Sequence, residues 1–399
     1  MPNKVKWLVI AMVIFLMGLS FLWPLNSIYL HNELGKSMYV TGIVLVFFNL
    51  TNLIGNFVGG WMFDKFGSKK AISIGVTIST IGLISMLIDK GWPNFAVNIA
   101  VISLGTGLVF PAMYALAAVI WPEGGRKTFN YMYVAANLGV AAGSSVAGII
   151  ADISFSYAYA ANLALFLLFY LIMITKVNMS SEYKKENKNI DKGFAERPAT
   201  NLLISFTLLN FGYLLCWFAY VQWQTPIATE VIKNGVSLSE YSLFWTMNGI
   251  VIVVGQPILN KVIEKWLHSN KSQIYAGYVV FILSVLYLFT ASSFKDFMFA
   301  MFLMTVAEML IWPAIPAIAD KLAPAGQTGK YQGIVGGMSS AGRMFGPVVG
   351  GVIYDSKGID AVYTFLVGLL IFGFLSVILS FKLSERHIKQ VQIAETTTA

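Results

Sequence analysis

The stretch GGWMFDKFGSKK, residues 59–70, begins in the last five residues of one long apolar segment, 39–63, and ends just before the next, 71–88. It places paired glycines about one helical turn before an aspartate and ends in a lysine-rich turn. Gly60 lets a neighbouring helix approach closely, and Asp64 stands where its carboxylate can meet the positive N-terminal end of another helix. The stretch therefore predicts a tight polar connection between two packed helices.

The apolar character of these two segments extends over the whole chain. Of the 399 residues, 57% are hydrophobic and 12% are charged, and the mean hydropathy is +0.70. This balance is too apolar for a soluble domain of this length. We therefore predict an all-α integral membrane protein with twelve transmembrane helices. The twelve apolar segments long enough to span a bilayer are 7–30, 39–63, 71–88, 95–120, 129–151, 158–175, 200–227, 241–260, 272–291, 297–320, 331–354 and 360–381.

The basic residues are divided unevenly between the two sides that twelve spans define. The side with both chain ends and the even-numbered loops carries 21 lysines and arginines, the other side carries 5, and Arg343 lies inside a span. The positive-inside rule then predicts a multi-pass protein of the cell (plasma) membrane with both termini in the cytoplasm. The net charge of +8 does not indicate nucleic-acid binding, because the basic residues occur in short runs rather than along one face.

The longest polar stretch, residues 176–200, divides the twelve segments six and six. Its high charge is typical of a mobile linker. We therefore predict an N-terminal six-helix bundle, a cytoplasmic linker, a C-terminal six-helix bundle and a cytoplasmic tail. Their boundaries are 1–175, 176–199, 200–383 and 384–399.

The two halves share blocks of sequence. VFPAMYALAAVIWPEG (109–124) aligns without a gap on IWPAIPAIADKLAPAG (311–326), at an offset of 202 residues. GVAAGSSVAGIIAD (139–152) aligns on GRMFGPVVGGVIYD (342–355) at an offset of 203. Internal repeats of six spans are typical of secondary transporters, so we predict two pseudo-symmetric bundles.

The opening stretch resembles the G-x-x-x-D-R/K-x-G-x-K/R-K/R motif of the major facilitator superfamily. The matching residues are Gly60, Asp64, Lys65, Gly67, Lys69 and Lys70. The resemblance implies the major facilitator fold and a gating role for this loop. In that family the acidic residue contacts the eleventh span, here beginning near Tyr331, and the contact holds the cytoplasmic gate shut in the outward-facing state. The counterpart GQPILNK (255–261) has Asn260 in place of the aspartate, which predicts an asymmetric gate.

A second motif is similar to one found in proton-coupled drug exporters of the superfamily, G-x-x-x-G-P-x-x-G-G. Here it lies in the eleventh segment, and we expect its residues to pack helices, with Gly55 and Gly59 as the facing surface of Gly342 and Gly346. The fifth-segment copy, where those exporters carry the motif, has Ser144 in place of the proline. The residues of the intact copy are Gly342, Gly346, Pro347, Gly350 and Gly351.

Two further comparisons bear on the direction of transport. Drug antiporters of the superfamily usually carry an arginine before a Gly-x-Gly in the fourth span, whereas VISLGTG (101–107) has only the glycines. In contrast, YVQWQTPI (220–227) and NGIVIVVGQPI (248–258) are similar to the seventh and eighth spans of many drug exporters. We therefore identify the chain as resembling the drug:proton antiporter, or multidrug efflux, branch.

One face of the seventh segment is polar and aromatic. Asn210, Tyr213, Trp217, Tyr220 and Gln224 follow one another at spacings of 3, 4, 3 and 4 residues, which is helical periodicity. Such a stripe suits a substrate cavity, because rings give apolar contact and cation–π attraction while amides orient a ligand. The alternative is an interfacial aromatic belt or hydrogen bonding between helices. The remaining candidate cavity residues are Trp23, Asn26, Tyr114, Asn248 and Trp312.

Two charged residues lie in the middle of spans. Glu308 is the twelfth of 24 residues in segment 297–320, and Arg343 is the thirteenth of 24 in segment 331–354, which predicts nearly equal depth. In one interpretation they form a structural ion pair that keeps Glu308 charged. In the other, Glu308 faces a wet cavity and carries a proton. Some drug exporters that the chain resembles have a functional acid in the tenth span, which favours proton coupling through Glu308 and Arg343.

Other chemistry is poorly represented in the sequence. The three histidines have no ligand spacing and there is no phosphate-binding loop, so we expect no metal, no cofactor and no enzymatic activity. We predict proton-driven export of amphipathic or cationic small molecules, with protons, substrate and membrane lipid as partners. The alternatives are a proton-coupled importer or uniporter of a polar metabolite, and a lipid or glycolipid flippase.

Overall fold

A computed structural model describes residues 1–177, 200–267 and 269–398. The predicted linker 176–199 therefore lies outside the described residues except for its first two positions. Side chains are described for all of these residues except those at positions 21–25, 27, 28, 32, 38, 39, 147–149, 151, 152, 238, 239 and 387–398.

The described residues form fourteen α-helices. In chain order they are α1 (Asn3–Ile28), α2 (Met38–Phe66), α3 (Ser68–Ile88), α4 (Asn94–Ile120), α5 (Arg126–Ile153), α6 (Phe155–Ile172), α7 (Thr200–Tyr220), α8 (Pro226–Lys233), α9 (Leu238–Trp266), α10 (Asn270–Leu288), α11 (Phe294–Ile311), α12 (Ala314–Leu322), α13 (Thr328–Lys357) and α14 (Ile359–Thr398). Short π-helical turns are present at Tyr29–Glu33 and Met173–Val177, and 3₁₀ turns at Pro122–Gly124 and Val221–Gln224.

Each of the twelve predicted segments coincides with helical structure. In the described part of the chain, ten spans are long and apolar enough to cross a membrane, and α13 is not among them. Eight of the thirty residues of α13 are glycine, so the hydropathy of this helix is low. Low hydropathy is expected of helices that face other helices instead of lipid.

The chain divides into two compact units, and the division falls inside α13. The first unit is Met1–Gly193 with Ala325–Met344, and the second is Phe194–Pro324 with Phe345–Ala399. In the first unit, α4 packs closely on α2 and α3, while α5 and α6 pack on α1. In the second unit, α7 packs on α14, and α10 packs on α11.

One close helix contact of the first unit joins α2 and α4. A Cβ atom on Gly107 would lie 2.5 Å from the carbonyl oxygen of Asn52 and 3.0 Å from Cα of Gly55. Gly59 likewise meets the backbone of Leu108. The prediction that Gly55 and Gly59 face Gly342 and Gly346 is therefore wrong. Sequence spacing identifies a small-residue face but cannot identify which helix covers it.

Serine side chains join α7 to α14 in the second unit. Ser205 Oγ donates to the carbonyl oxygen of Ser380 at 2.8 Å, and Ser380 Oγ donates to that of Ser205 at 2.6 Å. Ser376 Oγ donates to the carbonyl oxygen of Leu208 at 2.8 Å. Hydroxyl groups that bond across helices in this way hold the pair together where burial of apolar surface cannot drive association.

The tenth segment is broken between α11 and α12 at Trp312-Pro313. Pro313 has no N–H for the carbonyl oxygen of Met309, and Gln256 Nε2 donates to that oxygen at 3.4 Å instead. Gln273 Nε2 donates to the carbonyl oxygen of Leu310 at 2.7 Å. The two glutamines thus supply hydrogen bonds that the broken helix lacks, as lipid-embedded backbone requires.

The equivalent helix of the first half is not broken. At an offset of 202 residues, Pro111 corresponds to Pro313 and Tyr114 to Pro316. Helix α4 continues through Pro111. We attribute the difference to Pro316, which removes a second backbone donor within one turn of Pro313.

Substituting alanine for glycine tests the packing between α2 and α4. We expect Gly107→Ala to destabilise the protein by about 1–3 kcal/mol, because the new methyl group overlaps backbone atoms of α2. Gly351→Ala is the matched control, since a Cβ atom there meets nothing within 4 Å. Thermal unfolding in detergent measures both variants, and equal unfolding temperatures would contradict this packing.

Candidate functional site

The carboxylate of Asp64 caps the first turn of α13 within the first unit. Its Oδ1 accepts the backbone N–H of Gly329 at 2.7 Å, and its Oδ2 accepts that of Lys330 at 2.7 Å. These N–H groups have no partner inside the helix, and the helix N-terminus attracts negative charge. Gly60 lies against Gly329, whose carbonyl oxygen a Cβ atom on Gly60 would overlap. The helix begins at Thr328, three residues before the predicted start.

The remaining residues of this motif shape the turn and its surface. Gly67 has φ = +83°, a value that side chains disfavour, and it connects α2 to α3 in one residue. The ammonium group of Lys65 lies 4.8 Å from the ring centre of Trp61, and that of Lys70 lies 5.5 Å from the ring centre of Phe66. Lys69 is exposed.

The starts of α2 and α9 give a second way to align this motif with the other half of the chain. Helix α2 begins after Ser37 and α9 after Ser237, and each serine side chain accepts the N–H of the third residue that follows. This places the halves 200 residues apart, so that Glu264 corresponds to Asp64 and Asn260 to Gly60. The helix starts therefore favour Glu264, and not Asn260, as the counterpart of Asp64.

Buried polar side chains extend the contact between α2 and α13. Asn56 Nδ2 donates to Oδ1 of Asn52 at 3.0 Å, and Ser340 Oγ donates to the same oxygen at 2.9 Å. Asn52 Nδ2 donates in turn to the carbonyl oxygen of Ser103 at 3.2 Å. The Nη2 group of Arg343 donates to Ser340 Oγ at 3.4 Å. Arg343 therefore contacts a polar network of neutral amides and hydroxyls within the first unit.

The glycine-proline motif of α13 extends from the first unit into the second. Gly342 belongs to the first unit, while the other four residues belong to the second. Gln222 Nε2 donates to the carbonyl oxygen of Gly346 at 2.8 Å, and Gly350 leaves room for the same side chain. Pro347 lies inside the helix without ending it. The packing prediction is wrong for Gly351, where a side chain would meet open space.

The aromatic residues of the seventh segment converge on Trp312 in the second unit. The ring centre of Trp312 lies 5.7 Å from that of Tyr213, 5.0 Å from that of Trp217 and 5.6 Å from that of Tyr220. Trp245 joins this aromatic cluster through Tyr220, with ring centres 6.0 Å apart. The sequence stripe thus corresponds to one continuous group of rings from α7, α9 and the break after α11.

The two amide residues of the stripe, Asn210 and Gln224, differ in burial. Asn210 is buried, and its Nδ2 donates to the carbonyl oxygen of Phe206 at 2.9 Å, one turn earlier in α7. Gln224 is exposed. Its predicted place on the stripe is wrong, because α7 ends at Tyr220 and the following 3₁₀ turn changes the direction of the side chains.

The cavity candidates of the first half lie in the first unit. Tyr114 packs between Phe110 and Phe129, with ring centres 5.0 Å and 6.2 Å away. Asn26 is buried in α1. Trp23 is in the same helix, but its side chain is outside the described part of the structure.

Glu308 is bound by a second predicted residue, Asn248. Glu308 is 4% exposed and Asn248 is 6% exposed. Asn248 Nδ2 donates to Oε2 of Glu308 at 3.1 Å and to Oγ1 of Thr305 at 2.9 Å. The backbone N–H of Trp312 donates to the carbonyl oxygen of Glu308, so the acid and the aromatic cluster lie one helical turn apart.

Two residues of this site were not anticipated from the sequence. Trp245 lies three residues before Asn248 on α9, and Thr305 lies three residues before Glu308 on α11, so helical spacing from the recognised polar residues would have indicated both. Among residues 1–177, 200–267 and 269–398, no group of three or more His, Cys, Asp or Glu side chains could hold a metal ion. The site places one buried carboxyl group, that of Glu308, beside the rings of the aromatic cluster.

Comparisons with known proteins agree with this architecture. The sequence profile of the Major Facilitator Superfamily matches residues 8–233 and 213–397. The uncharacterized MFS-type transporter YttB of Bacillus subtilis (strain 168) is 44% identical over 380 residues, which cover 95% of each chain. Multidrug resistance protein 1 of the same organism is 25% identical over 361 residues, with 88% of each chain covered.

A solved structure shows the same fold. The human organic anion transporter MFSD10 superposes with a TM-score of 0.76 at 13% sequence identity, covering 94% of this chain and 100% of that one. At this identity the likeness concerns the fold alone. The predicted all-α membrane fold is confirmed by these matches.

The cap on α13 can be tested by hydrogen exchange. We expect Asp64→Ala to raise the exchange rate of the Gly329 and Lys330 amides by about tenfold or more, because each loses a charge-assisted hydrogen bond. Glu123→Ala is the control, since Glu123 is an exposed acid in another loop. Mass spectrometry of the peptide that begins α13 measures the rate, and unchanged exchange in Asp64→Ala would refute the cap.

Proposed function

The chain belongs to the major facilitator superfamily and is a transporter rather than an enzyme, and we propose that it exports amphipathic or cationic small molecules by proton antiport. The observation that carries this proposal is the placement of a buried carboxyl group, Glu308, one turn from a cluster of five aromatic rings. Acidic residues inside membrane spans are costly and usually serve transport or proton transfer.

The aromatic cluster supports a substrate that is apolar and positively charged. Tryptophan and tyrosine rings attract cations through their faces and offer large apolar surfaces. The rings of Tyr213, Trp217 and Tyr220 pack against Trp312, so a ligand must separate them to enter. A carboxylate beside such rings adds the negative charge that an organic cation requires.

The exchange of a proton for an organic cation follows from the competition of the two for the carboxyl group of Glu308. Protonated Glu308 is neutral and suits a buried site without a ligand, whereas a bound cation stabilises its charged form. Binding of the cation therefore releases the proton, and a proton from the outside displaces the cation. Export of drugs is also supported by the similarity to multidrug resistance protein 1.

The cap on α13 supports alternating access with both termini in the cytoplasm. The end of α2 that carries Asp64 also carries Lys65, Lys69 and Lys70, which the positive-inside rule assigns to the cytoplasmic side. Two charge-assisted hydrogen bonds at this end stabilise one arrangement of α2 and α13 and must break for another to form. The predicted bundle boundaries, 1–175 and 200–383, remain part of this proposal.

Import or downhill transport of a polar metabolite is the second candidate. It is favoured by the missing arginine in segment 95–120 and by Ser144 in place of the motif proline. A uniporter would move its substrate without proton exchange, so the two candidates differ in a measurable quantity.

Proteoliposomes with an imposed pH gradient test the antiport directly. We expect tetraphenylphosphonium to accumulate against its gradient in the acidic lumen while the pH gradient collapses. Glu308→Gln should reduce both effects at least about tenfold, because the amide cannot carry the proton. Glu123→Gln should behave as the wild type.

Two outcomes would overturn parts of the proposal. Proton movement that survives Glu308→Gln would reject the role of Glu308. Accumulation that never exceeds equilibrium and leaves the pH gradient unchanged would identify a uniporter.

The Arg343→Met variant tests the structural ion pair. If Glu308 carries the proton, Arg343→Met should still fold, since Arg343 contacts the neutral network at Ser340. If it misfolds and the double variant Glu308→Gln/Arg343→Met restores folding, the two charges serve only to cancel each other. Size-exclusion profiles and thermal unfolding of the purified variants distinguish these results.

A further inference from the structure

The hydrogen bonds around Thr305 fix the direction in which Asn248 points. Thr305 Oγ1 donates its proton to the carbonyl oxygen of Met301 at 2.8 Å, so it can only accept from Asn248. The carboxamide must therefore present its NH₂ group, and not its oxygen, to Thr305 at 2.9 Å. The second hydrogen of that NH₂ group points to Oε2 of Glu308 at 3.1 Å.

This direction determines which oxygen of Glu308 can hold a proton. Oε2 accepts a hydrogen bond from Asn248, so it acts as an acceptor in this contact. A proton on Oε2 would make this oxygen a weaker acceptor and so weaken the bond from Asn248, whereas a proton on Oε1 leaves the bond intact. The site thus holds the carboxyl group in one orientation in both protonation states.

The first unit contains an asparagine in a comparable place without an acid. Asn52 on α2 donates to the carbonyl oxygen of Ser103 and to Oγ1 of Thr106 on α4. At the repeat offset of 202 residues, Ser103 corresponds to Thr305 and Thr106 to Glu308. Asn52 therefore binds the two positions of the first unit that correspond to Thr305 and Glu308, and both of these residues are neutral. By the helix starts, Asn52 lies one turn further along α2 than Asn248 does along α9.

We propose that Asn248 is a positioning residue of the proton site, oriented by Thr305, and that the proton is carried on Oε1 of Glu308. The proposal rests on the proton-carrying role proposed above for Glu308. It moves Asn248 from the substrate cavity to the proton site. By donating to the carboxylate, Asn248 favours the charged form of Glu308 and so promotes release of the proton.

Other titratable groups lie on the elements around α11. Glu240 and Lys261 lie eight or more residues from Asn248 on α9, which is roughly 12 Å or more along the helix axis. Arg343 is predicted from the sequence to reach the depth of Glu308. The titratable groups on the neighbouring elements are Tyr213, Cys216 and Tyr220 on α7, Glu240, Tyr241, Lys261, Glu264 and Lys265 on α9, Lys271, Tyr275, Tyr278 and Tyr287 on α10, and Asp320 and Lys321 on α12.

Infrared difference spectra of the purified protein test the proposal without any ligand. A protonated carboxyl band that is absent in Glu308→Gln reports the protonation of Glu308 as pH varies. In Asn248→Ala we expect the midpoint of this band to move about one pH unit higher, because the carboxylate loses a hydrogen bond. Thr305→Val should also raise the pH midpoint, but by less than Asn248→Ala. In this variant Asn248 still has its NH₂ donor, but Thr305 no longer orients the carboxamide.

Asn52→Ala is the matched control for these variants. It removes the comparable amide in the first unit, where the acid is replaced by Thr106, and should leave the midpoint unchanged even if it slows transport. If Asn248→Ala does not fold, the isosteric Asn248→Asp replaces it. Two carboxyl groups at hydrogen-bond distance share a proton, so this variant should hold its proton to higher pH than the wild type.

The possible results separate this proposal from the proposed function. An unchanged midpoint in folded Asn248→Ala or Asn248→Asp would overturn the role of Asn248. A wild type without any band that depends on Glu308 would overturn both proposals, because Glu308 would then be permanently charged. A normal shift together with proteoliposomes that move no protons would sustain the positioning role and overturn only the antiport.

Discussion

The structure depends on one constraint, which is that a polar backbone or side-chain group within or beside a packed helix must find its partner within the protein. The N-terminus of α13 is satisfied by the carboxylate of Asp64. The carbonyl oxygens freed by the break at Pro313 are bound by Gln256 and Gln273. Each of these contacts joins two helices, so the need to satisfy polar groups also determines which helices stay together.

The same constraint separates the roles of the two halves. In the first unit, Asn52 and its partners are neutral, and their hydrogen bonds hold α2, α4 and α13 together. In the second unit, the equivalent of Thr106 is Glu308, whose partner Asn248 can bind it in either protonation state. One half thus carries a titratable group where the other carries a threonine, and a group that changes charge is what coupling to a proton gradient requires.

Local features of this chain could be predicted from sequence, and contacts between helices could not. The twelve apolar segments, the turn at Gly67 and the aromatic face from Tyr213 to Tyr220 follow from periodicity and backbone preferences. The prediction is wrong at Gln224, because helical spacing applies only up to Tyr220, where α7 ends. Spacing also marked Gly55 and Gly59 as a packing surface but assigned them to the wrong partner. The hydrogen bond of Asn248 to Glu308 joins residues 60 positions apart on different helices, and helical spacing relates only residues of one helix.

The central claim is that binding of an organic cation expels the proton of Glu308. Calorimetric titration of the purified protein with tetraphenylphosphonium, repeated in buffers of different ionisation enthalpy, counts the protons released on binding. The wild type should release a proton with each cation bound, and Glu308→Gln should bind the cation with no release. Equal proton release from the two proteins, or cation binding by the wild type with no proton released, would contradict the account.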